Sequence, residues 1–272
     1  MEFINLDLAR KLEMAEAEAA VACAEALRRL RPKVRPAVER IGGGVAVFVG
    51  VQSPVTQTIG IGLHGPVTEA EVKRLERFYF GRRDDVRVEL CPLAHPSVTE
   101  LFGQRGYRVV EYSNMLIRPL DGRVSARTRH SGFTIEPLAD NDGPVWAETV
   151  CRGFAEHFPV TPELQEMMVM FASAPGTSCF LARVDGKPAG GAALGIRGSV
   201  AGFFGASTLP AFRNRGIQSA LVRARLAAAK TAGCELAMCI AQPGTASHRN
   251  MERDGFSVAY TRVKFQKAFR KD

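Results

Sequence analysis

The chain has 272 residues, 46% hydrophobic and 24% charged, which suits one large or two ordinary globular domains with a sizeable core. Its formal charge of +8 favours anionic partners, but it has no block of Lys or Arg and no run of interleaved basic and aromatic residues, so nucleic acid is not the expected partner. No apolar run approaches the ~20 residues of a bilayer span, and the first ten residues, with Glu2 and Asp7, lack the pattern of an export signal.

Six cysteines (Cys23, Cys91, Cys151, Cys179, Cys234 and Cys239) lie among apolar neighbours with no Cys-x-x-Cys pair. The expectation is a cytoplasmic, metal-free protein with reduced, buried thiols.

Residues 3–31 read as a helix, rich in Ala, Leu and Glu and bounded by Pro32 and Pro36. Gly42-Gly43-Gly44 marks a turn, followed by an apolar strand over 45–51 and a short strand over 58–63. Residues 66–80 read as an amphipathic helix whose Thr68 and Glu71 have capping-box spacing. A strand over 86–90, a helix over 96–104 stopped by Gly106, and one or two strands over 107–117 follow. Residues 121–132 are polar and basic and read as a linker.

The second half opens with a strand over 133–136 and helices over 141–154 and 162–172. Asp185-Gly186 joins two apolar strands, 179–184 and 189–196, as a hairpin. A strand over 200–207 leads into a polar turn and a helix over 217–232 closed by Gly233. A buried strand over 236–241, a short helix over 245–253 ended by Gly255, and a strand over 256–265 complete the chain. The helix–Gly–aromatic–strand junction at Gly106-Tyr107 recurs at Gly255-Phe256, each preceded by a strand ending in Pro, which suggests two related domains in tandem.

The stretch from Gly202 to Ala232 is the most informative: a short apolar strand, a polar turn with one glycine and a long alanine-rich helix. A strand that feeds a helix through a glycine-bearing turn aims free N–H groups at whatever lies before the helix, and the helix dipole adds attraction for anions. Arg213 and Arg215 supply positive charge. The helix shows one stripe, Ile217, Ala220, Leu221, Ala224, Ala227 and Ala228, expected to pack on a sheet, with Val222 and Leu226 off it.

This stretch resembles the cofactor signature of the GNAT N-acetyltransferase superfamily, Arg/Gln-x-x-Gly-x-Gly/Ala. Here it runs Arg213, Gly216 and Gln218, with Gln where the family has Gly or Ala. The resemblance implies an α+β (mixed α/β) fold of two tandem GNAT-like domains, each a twisted, mixed and mostly antiparallel sheet flanked by helices. Residues 1–122 would be a degenerate domain without the motif, since Leu63-His64-Gly65-Pro66-Val67 stands in its place and Pro66 lacks a donor. Residues 131–272 would bind acetyl-coenzyme A.

The implied cofactor contacts are Ala206, Thr208, Leu209, Arg213, Asn214, Arg215, Gly216, Ile217, Gln218, Ser219 and Asn250. Backbone amides of Ala206, Ser207 and Thr208 would polarise the thioester. The implied activity is transfer of acetyl to an amine, small-molecule or peptide, by direct attack in a ternary complex. The alternative is a non-catalytic acyl-coenzyme A-binding regulatory protein.

The family's usual acid is a Tyr four residues before the Gly-aromatic pair, where this chain has Met251. Tyr260 is a substitute candidate for the acid. Glu156 and His157, in the loop after the second half's first helix, are candidates for the base, and His248 lies beside the motif. The acceptor and the oligomeric state are not readable.

Overall fold

The computed structural model describes residues 4–121, 132–139, 142–155 and 159–270. Helix α1 (Leu6–Leu30) starts at Asn5, whose side chain accepts the Leu8 N–H at 2.9 Å. Strands β1 (Ala37–Ile41), β2 (Gly44–Phe48) and β3 (Gln57–Ile59) follow. Then come α2 (Glu69–Phe80), β4 (Val86–Leu90), α3 (Ser97–Gln104) and the single long strand β5 (Arg108–Pro119). Next are β6 (Thr134–Pro137), α4 (Gly143–Phe154), α5 (Pro162–Ser173), β7 (Thr177–Val184) and β8 (Lys187–Arg197). The chain ends with β9 (Val200–Thr208), α6 (Ile217–Thr231), β10 (Leu236–Ala241), α7 (Ala246–Arg253) and β11 (Ser257–Lys267).

Most of this agrees with the reading by periodicity. Strand β1 does not: Ala37-Val-Glu-Arg-Ile has no clean alternation, and it becomes a strand because all five residues pair antiparallel with Gly44–Phe48. The strand expected over 58–63 stops at Ile59, because Gly60 and Gly62 take positive φ of 78° and 77°. Asp185 and Gly186 both have φ > 0, as a two-residue hairpin with the right twist requires.

The described residues form two compact units. The first holds residues up to Leu116 with Ala241–Thr245 and Val258–Asp272; the second holds Ile117–Ile240 and Ala246–Ser257. A simple cut between 122 and 131 counts the last strand with the second half, whereas its contacts place it in the first unit. The reason is pairing: Val263 to Lys267 run antiparallel to Leu90 to Val86.

Within the first unit the strand order is β1-β2-β3-β4-β11-β5, and β3 and β4 are parallel. Its core gathers Leu75, Phe78, Tyr79, Val88 and Phe102 from α2, β4 and α3. A charged cluster is also buried there. Arg262 is 1% exposed and faces Glu13, Glu16 and Glu89.

Within the second unit the order is β10-β9-β8-β7-β6. All its pairs are antiparallel except β9 with β10. Helix α4 covers β8 and β9 with the fully buried Trp146, in contact with the bare backbone of Gly191. Helix α6 packs against β8 and β9. Its buried face is Ile217, Ala220, Leu221, Val222, Arg225, Leu226 and Ala229, rotated from the expected alanine stripe. The buried face includes Arg225, a residue type normally assigned to solvent. Its guanidinium lies over the Phe203 ring, and Nη1 donates to the Ala193 carbonyl at 3.2 Å.

Candidate acyl-transfer site

The site is built where β9 leaves its parallel neighbour. Pairing with β10 runs from Val200–Leu236 to Phe203–Cys239 and stops there, although β9 continues to Thr208. Against β8, β9 carries one extra residue: Ala193 faces Phe204 while Gly191 faces Ser207. Gly205, with φ +54°, takes the bulge. The last five residues of β9 therefore present backbone donors and acceptors that β10 does not use.

Close packing fixes this free end. The Ser207 hydroxyl donates to the Val150 carbonyl at 2.9 Å. A Cβ on Gly153 would lie 2.2 Å from that hydroxyl, and one on Gly190 would lie 2.7 Å from the Ser207 carbonyl oxygen. Helix α4 and β8 thus hold Ser207 and Thr208 from two sides through residues without side chains.

After Leu209 a single short turn, Pro210–Phe212, reverses the chain. Arg213 braces it from inside, its guanidinium donating to the carbonyls of Thr208 and Gly153 at 3.3 and 3.2 Å. Arg215 stays exposed, its guanidinium 5.5 Å from the Phe212 ring centre. Asn214 and Gly216 both have positive φ, 61° and 79°, and Gly216 is the N-cap of α6. No side chain caps this helix. The first amides of α6 are therefore left to an outside acceptor.

The residues present fit a pyrophosphate-bearing cofactor. A side chain at Gly216 would project into space empty of protein atoms. Thr208 Oγ1, at the end of β9, is buried without a hydrogen-bond partner. The first turn of α6 also anchors α7: the Ser219 hydroxyl donates to Asp254 Oδ2 at 3.1 Å, and α7 carries the half-buried Asn250. Burial holds the Asp254 carboxyl above its ordinary pKa, against the opposing pull of the Ser219 hydroxyl and nearby arginines. No local pattern in the sequence marks Asp254, because its partner Ser219 lies on a different helix.

Leu209 to Ser219 are thus adjacent by chain, and the bond between Ser219 and Asp254 ties the helix of Asn250 to them. The proton-transfer candidates are distributed differently. Tyr260 belongs to the first unit, where its hydroxyl donates to Glu13 Oε1 at 2.9 Å; burial and Glu13 push its pKa far up. A hydroxyl committed to a buried carboxylate is not free to protonate a leaving group. Glu156 and His157 lie outside the described residues. His248 Nε2 is 3.5 Å from Glu252 one turn along α7, and Met251 is buried. All six cysteines are buried free thiols, and burial pushes Cys151 to about 11 and Cys239 to about 12. Among the described residues no group of three or more His, Cys, Asp or Glu could hold a metal ion. No helix there is long and apolar enough to cross a membrane.

Residues 146–256, which contain the splayed strand, the turn and α6, match the Acetyltransferase (GNAT) family. That segment, about two fifths of the chain, is similar to GNAT acetyltransferases. No curated protein matches it. Among solved structures it is similar to a GCN5-related N-acetyltransferase from Kribbella flavida (TM-score 0.64, 19% identity), covering 91% of this chain and 95% of that one. A tandem GNAT protein from the clavulanic acid biosynthesis pathway is similar over 100% of this chain and 98% of that one (TM-score 0.62, 13% identity). A conserved protein of unknown function from Staphylococcus epidermidis covers 87% and 96% (TM-score 0.61, 10% identity). At these identities the likenesses establish the shared fold.

Proposed function

We propose that the second half of the chain, 131–272 by the sequence reading, binds acetyl-coenzyme A and transfers its acetyl group to an amine. The observation that carries this reading is the coincidence of an unpaired β9 edge with an uncapped α6 N-terminus one short turn away. When bound, the cofactor supplies an activated acetyl thioester. The amides of Gly216 to Ser219 and the exposed guanidinium of Arg215 hold its pyrophosphate. The free edge from Phe204 to Thr208 receives the pantetheine arm by strand-like hydrogen bonding. The amides around Ala206 polarise the thioester oxygen. The amine would attack the thioester carbonyl directly in a ternary complex, the C–S bond would break, and coenzyme A would leave as a thiolate that takes up the proton the amine loses; thiols too buried to serve as acyl carriers fit this route. Those six reduced thiols also fit a cytoplasmic location.

Coenzyme A is expected to raise the melting temperature by mass action, and Gly216→Glu to abolish the rise. No rise at millimolar coenzyme A would sink the proposal. Met251 at the position of the family's usual acid favours a second reading, a non-catalytic acyl-coenzyme A binder. Release of free thiol in the presence of any member of a broad panel of small amines and peptides excludes that second reading.

A further inference from the structure

A concavity of about 920 Å³ lies within the first unit, where the chain leaves β11. Three aromatic rings line it. Phe80, at the end of α2, and Phe269 meet with ring centres 5.9 Å apart, and Tyr107 lines it while stacked on Phe102. The segment carrying Phe269 is tied down: the Phe269 N–H donates to Asp85 Oδ1 at 2.8 Å and Gln266 Nε2 donates to Asp85 Oδ2 at 2.7 Å. The wall is therefore held in place, unlike a fraying terminus.

The charge of the concavity is positive. Glu76 takes Arg105 on both oxygens, at 3.0 and 2.6 Å, and Lys267 at 2.8 Å, so one carboxylate answers two cations. Arg105 also reaches the exposed Glu69 at 3.4 Å. Arg108 and Arg270 line the same space, both exposed. Among the described residues neither guanidinium has an ion pair or a hydrogen bond. Unpaired guanidiniums beside aromatic rings suit a ligand with a flat apolar body and an acidic group.

We propose that this concavity binds a small planar aromatic anion, its ring against Phe80 and Phe269 and its phosphate or carboxylate paired with Arg108 and Arg270. The test is calorimetric titration of the full chain with 1-naphthyl phosphate, alongside 1-naphthol and inorganic phosphate. The expected result is saturable binding of 1-naphthyl phosphate at least ~10-fold tighter than either control, since charge-assisted contacts and ring burial each contribute. Arg108→Ala and Arg270→Ala are each expected to weaken it about fivefold to tenfold at unchanged melting temperature. Gly216→Glu leaves it unchanged. Absence of saturation at millimolar ligand overturns the proposal, as do equal binding of either control and wild-type binding by the double arginine variant. Loss of binding in Gly216→Glu overturns it as well, by moving the ligand to the turn before α6.

Discussion

The turn after β3 and the turn after β9 begin from the same geometry and end differently. Each follows a strand paired parallel to the next strand of its unit, and each leads into a helix. After β3 the chain satisfies itself. The Gly62 N–H donates to the Gly42 carbonyl at 2.9 Å, the Gly62 carbonyl accepts the His95 N–H at 2.8 Å, and the Leu63 carbonyl accepts Arg10 Nε at 2.9 Å. The helix that follows is capped at both ends of a box. Thr68 Oγ1 accepts the Glu71 N–H at 3.3 Å, and Glu71 Oε2 accepts the Thr68 N–H at 2.8 Å. After β9 the turn is also tied to its surroundings, through Arg213 and the Thr208 and Gly153 carbonyls, but the helix start is not: Gly216 has no side chain to offer α6. A helix start closed by its own side chains has fewer donors left for an anion, whereas one begun by a left-handed glycine keeps them all.

The largest expected effect breaks the open turn. Gly216→Glu forces a side chain onto φ +79° and puts a carboxylate among the free amides. Coenzyme A affinity is expected to fall at least ~100-fold, about 3 kcal/mol, by calorimetry. Next is the buried cluster of the closed unit. Burial, opposed by Arg262 and reinforced by Glu16, raises the Glu13 pKa from 4.5 to about 7. The folded state thus binds this proton more tightly than the unfolded state. The stabilisation is complete below about pH 4.5 and is lost as pH rises through about 7, amounting to at most about 3 kcal/mol. Chemical denaturation from pH 4.5 to 8 should show wild-type stability declining relative to Glu13→Gln, and parallel profiles would refute this.

Gly62→Ala should cost about 2 kcal/mol of stability. Its Cβ would lie 2.6 Å from a Val98 methyl at φ +77°, yet the coenzyme A-induced rise in melting temperature should persist. The smallest effect is Thr68→Ala, about 1 kcal/mol, which removes a cap without touching cofactor affinity. Equal loss of cofactor binding in Gly62→Ala and Gly216→Glu would erase the distinction between the two turns.

Much of this was legible in the chain itself. The Thr68/Glu71 box, the Asp185-Gly186 hairpin and the Gly216 turn are local devices, set by residues three or fewer apart, and they formed as their spacing predicts. Local chemistry also exposed the repeated junction. The Tyr107 and Phe256 amides donate back to the Phe102 and Met251 carbonyls across glycines at φ 75° and 84°. Nonlocal features were hidden. Arg225 and Arg262 look like surface charges until a ring, a carbonyl or three carboxylates are brought to them. Tyr260 reads as a free hydroxyl until Glu13, distant in sequence, accepts its hydrogen bond. The splay of β9 from β10 has no motif, because it depends on where two separate strands cease to pair.

The sequence alone therefore determined that an open glycine turn precedes α6 and that its counterpart before α2 is capped, since both follow from neighbouring residues. Tertiary structure decided that the last strand joins the first unit beside β4, and that the hydroxyl of Tyr260 is bound to Glu13. Strand partners and buried charge pairs are choices among distant segments, made by whichever pairing leaves the fewest polar groups unsatisfied.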